Sequence, residues 1–364
     1  MQAVILSGGQ GTRLRPLTAT MPKPSVPMVN RPMIWYMIDW LRGHGVSEVV
    51  MSVGFLADGL RAALDATGHE GVNIRYVEEP EPLGTAGAVK FAEQHLDERF
   101  LVLNGDVLTD FDIGAEIAQH AATGARATLA LVPVEDPTAY GLVLTDEQKR
   151  IEAFLEKPDA ADVPPNPRIN AGAYVLERDV LQMIPAGENK SFEHDVFPQL
   201  VGDGIYAYDA DGYWLDLGTP ERYVEATRDL LDNKARSYLS GEMSTSRTYV
   251  GEGAEIVLGP ELEKPFVVGE DAKLAAGVAL KPYSVIGQRT RIAANCVVDA
   301  AVIMHDCEVG EGATISQALI GPGVQIGTGA RVEPGAVIGE GARIEANAVI
   351  AADARVDANA AVAA

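Results

Sequence analysis

The chain has few of the residues that would tie it to a metal, to disulfides or to a membrane. Cysteine occurs twice in 364 residues, at Cys296 and Cys307. Two thiols at that spacing make neither a disulfide framework nor a metal-ligand motif, which suits a reducing, cytoplasmic setting. The histidines (His44, His69, His95, His120, His194 and His305) show no metal-ligand spacing either. Aromatic residues make up 6% of the chain although 47% of it is hydrophobic, so it is rich instead in Ala, Val, Ile and Gly. No run approaches the roughly 20 apolar residues that cross a bilayer. The first residues lack the basic region of a secretory signal, so none is expected. Positive charge is scarce too: 29 Lys and Arg stand against 52 Asp and Glu, a net charge of −23. Such a surface repels nucleic acid and anionic membrane. It does not exclude a small phosphorylated ligand, because cations lining a cleft outweigh acidic groups farther away.

What is present falls into two periods. Residues 1 to about 240 alternate short apolar strands ("QAVIL", "EVVMSV", "VNIRYV", "RFLVLN") with amphipathic helices such as "RPMIWYMIDWLRGHG" and "LADGLRAALDAT". That alternation implies a mostly parallel sheet covered on both faces, with ligands beyond the C-terminal strand ends. After residue 125 strands dominate ("RATLALVPV", "YGLVLT", "IEAFLEKP", "AGAYVLE"), which reads as an added, partly antiparallel lid. "TPERYVEATRDLLDNKARSYL" reads as a long helix closing this half.

From Val268 the period becomes six. Val268, Leu274, Leu280, Ile286, Ile292 and Val298 form one run, Ile303, Val309 and Ile315 a second, and Ile320 to Val362 a third, each break being one residue short. A helix cannot use a period of six. A coil with three flat faces can, each aliphatic pointing inward once per face, which is the hexapeptide β-helix pattern. About five coils of about 18 residues are expected. The division expected is 1–240 for an α/β domain with a Rossmann-like mixed sheet and 241–364 for a linker, near 241–266, and a left-handed hexapeptide β-helix.

The stretch "LSGGQGTRLRPLT" follows the first strand directly. Its glycines allow close backbone approach, and its N–H groups and arginines suit anionic oxygens. It matches neither the dinucleotide fingerprint, since Leu14 takes the place of the third glycine, nor the P-loop, which needs G-K-[ST]. Together with "PKPSVPM", "EPLGTAGA", "NGD", "YG", "EKP", "INAG" and "YWLDLGTP", in this order and spacing over residues 1–235, it resembles the sugar-1-phosphate nucleotidylyltransferases. The branch it looks most similar to is the mannose-1-phosphate guanylyltransferases, and hexapeptide tails accompany several branches.

That resemblance implies the chemistry. A sugar-1-phosphate oxygen attacks the α-phosphorus of a nucleoside triphosphate and pyrophosphate leaves in line. The nucleophile is already an anion, so positioning and charge neutralisation suffice. On the resemblance, Leu6, Gly8, Gly9, Gly11 and Thr12 line the nucleotide, Arg13 grips the β- and γ-phosphates, and Lys23 sits near the α-phosphate. Asp106 and Asp216 hold Mg²⁺, a hard cation suited to carboxylates and phosphate oxygens. Leu83, Gly84 and Thr85 flank the base. Gly141, Glu156 and Asn170 meet the sugar, and Lys157 holds its phosphate. Trp35 and Trp40, at helical spacing with Met33 and Met37, read as core or interface. Asp58, Asp65, Glu193 and Asp195 read as solvated helix faces.

Three other readings stand beside this one. A uridylyl- or thymidylyltransferase acting on glucose-1-phosphate would share every phosphate residue. A non-catalytic regulatory subunit should have lost the glycine loop, Lys23 or a metal aspartate, and this chain keeps them all. A β-helix acyltransferase would need a histidine, and His305 is the sole candidate. The repeat runs to the last residues in register, leaving an open strand edge that another subunit would cover. A homo-oligomer through the β-helix is therefore expected, with the first half able to fold without it.

Overall fold

The computed structural model describes all residues except 55, 70, 138–140, 157–162, 238, 240–242, 244–246 and 258–260. The chain forms two compact units, one of Met1–Gly9, Met37–Ala57 and Gly68–Trp214, the other of Gln10–Tyr36, Asp58–Thr67 and Leu215–Ala364.

The first unit is built on a sheet of nine strands among the described residues. Its centre is Gln2–Ser7, paired in parallel with Glu48–Val53 on one side and Arg99–Asn104 on the other. Asn73–Glu78 extends it in parallel beyond Glu48–Val53. Ala3, Val4 and Ile5 are fully buried. Their continuous apolar run is what a parallel strand covered on both faces requires. The antiparallel addition is as expected: Arg168–Glu177 pairs with Arg99–Asn104, and Ala127–Pro133 and Gly141–Thr145 with it. The helix Ile113–Thr123 starts where the Asp112 side chain accepts from the Ala115 N–H at 3.1 Å, and it stops at Gly124 with φ of 62°. Its inner face carries an anomaly, Glu116, which is 0% exposed. Neither carboxyl oxygen has a hydrogen-bond partner among the described residues.

The second unit holds the coil. Three parallel sheets stack side by side, and successive strands pair 18 residues apart, as Lys273 with Arg291, or 17 apart at the two breaks, as Arg291 with Glu308. The inward row from Val268 to Val356 forms one buried cluster. These are the stacked sheets expected of a left-handed hexapeptide β-helix. The coil starts earlier than the period read from Val268, because Thr248–Val250, Glu255–Ile256 and Glu261–Leu262 already pair with the next turn. The stretch expected as a linker thus contains the first coil.

One face of the coil also turns apolar residues outward. Val267, Val285, Val302, Leu319 and Val337 are all buried. The helix Pro220–Leu231 lies against this face: Val224 and Arg228 share a cavity with Leu319 and Val337, and the Arg228 guanidinium stands 5.9 Å from the Tyr283 ring centre. That helix ends at Leu231, short of the expected span, and Asn233 at φ 59° turns the chain away. The loop before residue 36 is tied to the same body. Asn30 Nδ2 donates to the Ile286 carbonyl at 3.0 Å, and the Tyr223 hydroxyl donates to the Pro27 carbonyl.

Burial pushes the Glu116 carboxyl well above its usual 4.5. In the folded protein it holds a proton that the unfolded chain loses near 4.5. Its contribution to stability is therefore complete below that pH and declines as pH rises toward the folded value. Urea unfolding from pH 4.5 upward is expected to show wild type losing stability relative to Glu116→Gln, by up to about 1.4 kcal/mol per pH unit. A pH-independent difference between the two would show that Glu116 is ionised in the fold.

Candidate active site

The C-terminal ends of the parallel strands gather the first set of residues. After the first strand the chain turns at Gly8 and Gly9. A Cβ on Gly8 would stand 3.0 Å from Glu79 Oε1, whereas one on Gly9 would meet nothing within 4 Å. A side chain at Gly8 would thus crowd the Glu79 carboxylate, and Gly9 leaves open space. After Arg99–Asn104, the Gly105 N–H donates to the Leu6 carbonyl at 2.9 Å, and a Cβ there would stand 2.7 Å from that oxygen. This close approach sets Asp106 beside Leu6. Glu79, which lies outside every sequence motif named above, accepts from Ser52 Oγ at 2.7 Å and from the Leu83 N–H at 3.1 Å. It links the glycine turn to the start of the Leu83–Thr85 stretch.

Gly84 opens the helix Gly84–Phe91 at φ 71°. The segment 188–192 runs against it so closely that a Cβ on Gly84 would meet the Lys190 carbonyl at 2.4 Å. That carbonyl accepts from Ala86 and Gly87, at 2.9 and 3.1 Å, so these two first-turn donors are satisfied by the chain. Leu83 is buried. The Thr85 hydroxyl donates to Glu193 Oε2 at 3.0 Å and accepts from the Phe192 N–H at 2.9 Å.

Glu193 therefore departs from its sequence reading. It is half-buried and accepts from Thr85, from Ser191 Oγ at 2.7 Å and from the Tyr174 hydroxyl at 3.0 Å. Asp195 is likewise half-buried, its Oδ2 accepting from the Ser191 N–H at 2.8 Å. Asp58 and Asp65 are exposed as expected. Asn170 lies where Arg168–Glu177 shifts register, donating to Tyr174 Oη at 2.8 Å and accepting from the Gly172 N–H at 2.9 Å. Gly141 opens its strand opposite Glu156, and Leu142 pairs with Ile169, next to Asn170. The Glu156 side chain and all of Lys157 lie outside the described residues.

The second unit holds the rest. Gly11 sits at φ 59°, and a Cβ on it would stand 2.8 Å from Lys23 Cβ. The Thr18 hydroxyl donates to its carbonyl at 2.7 Å. Thr12 and Arg13, both exposed, lie on a single 3₁₀ turn anchored by the buried Leu14. Lys23 is buried at the start of the next-but-one 3₁₀ turn. Asp216 ends the strand Trp214–Asp216, its Oδ1 accepting from the Gly218 N–H at 3.3 Å. A Cβ on Gly218 would stand 2.6 Å from Arg13 Nη2 and 2.8 Å from Asp216 Oδ1. The guanidinium and the carboxylate thus converge on one bare backbone position.

Asp106, in the first unit, and Asp216, in the second, each carry hard carboxylate oxygens. Among the described residues no group of three or more His, Cys, Asp or Glu side chains could hold a metal. A carboxylate of this kind suits a hard cation that takes most of its shell from phosphate and water. The thiols are no rivals: Cys296 and Cys307 are free and buried, and burial pushes Cys307 up to about 12. His305 is bound to Asp306 at 2.8 Å, and the Arg289 guanidinium beside Asp306 pulls its carboxyl down to about 2. These are the contacts of a surface ion-pair cluster. Trp40 packs edge-on against Phe111 and donates to its carbonyl at 3.0 Å, a core role.

Comparison with known proteins gives two family matches in chain order. "Nucleotidyl transferase" covers residues 2–233, and "GMPPB C-terminal domain" covers 262–363. A mannose-1-phosphate guanylyltransferase of Mycobacterium tuberculosis is 38% identical over 284 residues, covering 72% of this chain and 78% of the relative. A probable mannose-1-phosphate guanylyltransferase 1 of Oryza sativa subsp. japonica is 34% identical over 356 residues, covering 92% and 89%. The crystal structure of HddC from Yersinia pseudotuberculosis superposes with a TM-score of 0.55 at 29% identity, over 62% of this chain and 97% of that one. Its complex with GMP-PN gives 0.54 at 28%.

Gly218 provides a local test of the Arg13–Asp216 convergence. Gly218→Ala adds one methyl where both charged groups stand and should displace them by several tenths of an ångström. Nucleotidyl transfer is expected to fall about 100-fold, as for misplaced reacting groups, while the melting temperature moves little. Pyrophosphate release within about twofold of wild type would show that the placement of Arg13 and Asp216 does not limit transfer.

Proposed function

The chain belongs to the nucleotidyl transferase family, and from that premise we propose that it is a mannose-1-phosphate guanylyltransferase, transferring GMP from GTP to mannose-1-phosphate with release of pyrophosphate. The observation that carries this is agreement along the whole chain. Both family matches occur in order, and a relative of that name aligns over 92% of the residues. A purely regulatory reading has no support in the glycine turn, Lys23 or the aspartates, all of which are kept.

The phosphate oxygen of the sugar phosphate forms a bond to the α-phosphorus, the bond from that phosphorus to the bridging oxygen breaks, and pyrophosphate takes the electron pair. Gly8, Gly9, Gly11 and Thr12 offer backbone to the triphosphate and Leu6 its strand end. Arg13 neutralises the departing pyrophosphate and Lys23 the α-phosphate. Leu83, Gly84 and Thr85 hold the base. Gly141, Glu156 and Asn170 hold the sugar, with Lys157 on its phosphate. The family's chemistry uses a divalent metal. We assign it as Mg²⁺, held by Asp106 and Asp216, where it would supply charge to the phosphate oxygens.

No helix among the described residues is long and apolar enough to cross a membrane. A cytoplasmic enzyme is the setting we propose, with 1–240 as the catalytic part and 241–364 as the linker and coil. We propose a homo-oligomer through the coil, on whose outer surface Val349 is 54% exposed.

A panel of GTP, UTP and dTTP against mannose- and glucose-1-phosphate, read by pyrophosphate release, tests the assignment. GTP with mannose-1-phosphate should give the highest kcat/KM, and a preference for UTP or dTTP with glucose-1-phosphate would replace it. Asp106→Asn should lower kcat about 100-fold with the fold intact, the scale of losing one charge-stabilising group. Near-normal turnover at saturating Mg²⁺ would remove Asp106 from the metal. Sedimentation of the full chain at micromolar concentration is expected to show an assembly, and a monomer would refute the coil contact.

A further inference from the structure

We propose that Glu193 is a positioning residue that fixes the nucleotide-side threonine and the sugar-side asparagine at once. This rests on the assignment of Thr85 to the nucleotide and Asn170 to the sugar. All the groups concerned belong to the first unit.

A carboxylate only accepts. The Tyr174 hydroxyl, 3.0 Å from Glu193 Oε1, must therefore donate to it. Its one proton being committed, the tyrosine oxygen can only accept from Asn170, which stands 2.8 Å away and presents Nδ2. That orientation leaves Asn170 Oδ1 for the Gly172 N–H at 2.9 Å. The amide of Asn170 is thus held one way round by a charge two links away. Its second N–H and a lone pair of Oδ1 are left with a fixed direction for sugar hydroxyls. On the other side Oε2 takes the protons of Thr85, at 3.0 Å, and Ser191, at 2.7 Å. The Thr85 oxygen then accepts from Phe192 N at 2.9 Å, pinning the opening turn of Gly84–Phe91.

The surroundings support a rigid relay. Tyr174 and Phe192 are fully buried, and the Tyr174 ring meets Phe197 edge-on at 4.9 Å. Phe192–Val196, which carries Glu193, forms a turn of π-helix capped by Ser191. Such turns place one side chain where a regular helix would not. A solvated surface glutamate would need none of this.

Steady-state kinetics of the full chain test the proposal, using whichever triphosphate and sugar phosphate wild type turns over best in the panel above. A different preferred pair overturns the substrate assignment and leaves this comparison readable. Glu193→Gln gives the relay a donor where it had only acceptors, and should raise KM for both substrates about tenfold, the scale of a misdirected buried hydrogen bond. Tyr174→Phe should raise only the sugar-phosphate KM and Thr85→Val only the triphosphate KM. Thr85→Ser, which keeps the hydroxyl, should raise the triphosphate KM less than Thr85→Val does. Tyr174→Phe added to Glu193→Gln should raise the sugar-phosphate KM no further, because both cut one relay. The proposal falls if Glu193→Gln leaves both KM values within about twofold, below the cost expected of a lost charged hydrogen bond. It falls equally if Tyr174→Phe and Thr85→Val each shift both values alike, as general loosening would. Should Glu193→Gln fail to melt cooperatively, the contrast between the tyrosine and threonine variants decides alone.

Discussion

The close approach of Gly105 to the Leu6 carbonyl is the contact on which the first unit's site depends. Parallel strands share one direction, so their C-terminal ends fall on one edge, and the turns leaving that edge crowd together. Gln2–Ser7 is central, so its exit at Gly8 and Gly9 meets the turn after Arg99–Asn104 and the loop holding Glu79. A side chain at Gly105 would push Asp106 away from the strand end. Glycine here is demanded by contact distance with backbone, not by a positive φ. Gly11 and Gly84 differ, each needing both the room and the left-handed backbone.

The coil was legible in the sequence because its narrow core takes one large aliphatic from each face per turn. Each face sends one large aliphatic inward per coil, with only small or single apolar neighbours beside it, so the period of six is readable from Val268 to Val362 through two breaks of one residue. The coil's start was hidden because its outermost turn has a neighbour on one side only. Val250 is 48% exposed, and Ile256 and Leu262 are only half-buried, so their spacing of six carries less burial. The helix after Thr219 was over-read because helix-forming residues continue past Leu231. Asn233 in a left-handed conformation, with Asp232 engaged by Tyr283, ends it through tertiary contact.

Within the candidate site, the glycines and the motif charges could be found because they occur in runs. Glu79 and Glu193 could not. Each is a lone carboxylate among polar residues, and its importance lies in what folds around it: Ser52 and Leu83 for the one, Thr85, Ser191 and Tyr174 for the other. Those partners are up to 108 residues distant in sequence. A charge whose neighbours come from elsewhere in the chain looks, in one dimension, like any solvated charge. Glu116 makes the same point from inside a helix, since its place on the buried face is visible but the absence of a partner is not.

Perturbed acids often mark active sites, and one of the most strongly raised here, Tyr174, is buried between Glu193 and Asn170, where it serves as a hydrogen-bond relay and not as a base. The others mark packing: burial raises Glu116, Tyr223 and Cys307, which lie under a helix, beneath the Pro27 loop and inside the coil. The chemistry explains why. A phosphate monoester is its own nucleophile, so the reaction needs no poised base and no activated thiol. It needs two polyanions held in line and their charge offset, and the tools for that are bare backbone, fixed cations and correctly turned amides. A protein with a net charge of −23 can supply them because screening confines each charge to its neighbourhood. The selective pressure then falls on placement. That is why glycines with no room for a methyl, and carboxylates that only receive hydrogen bonds, carry so much of this structure.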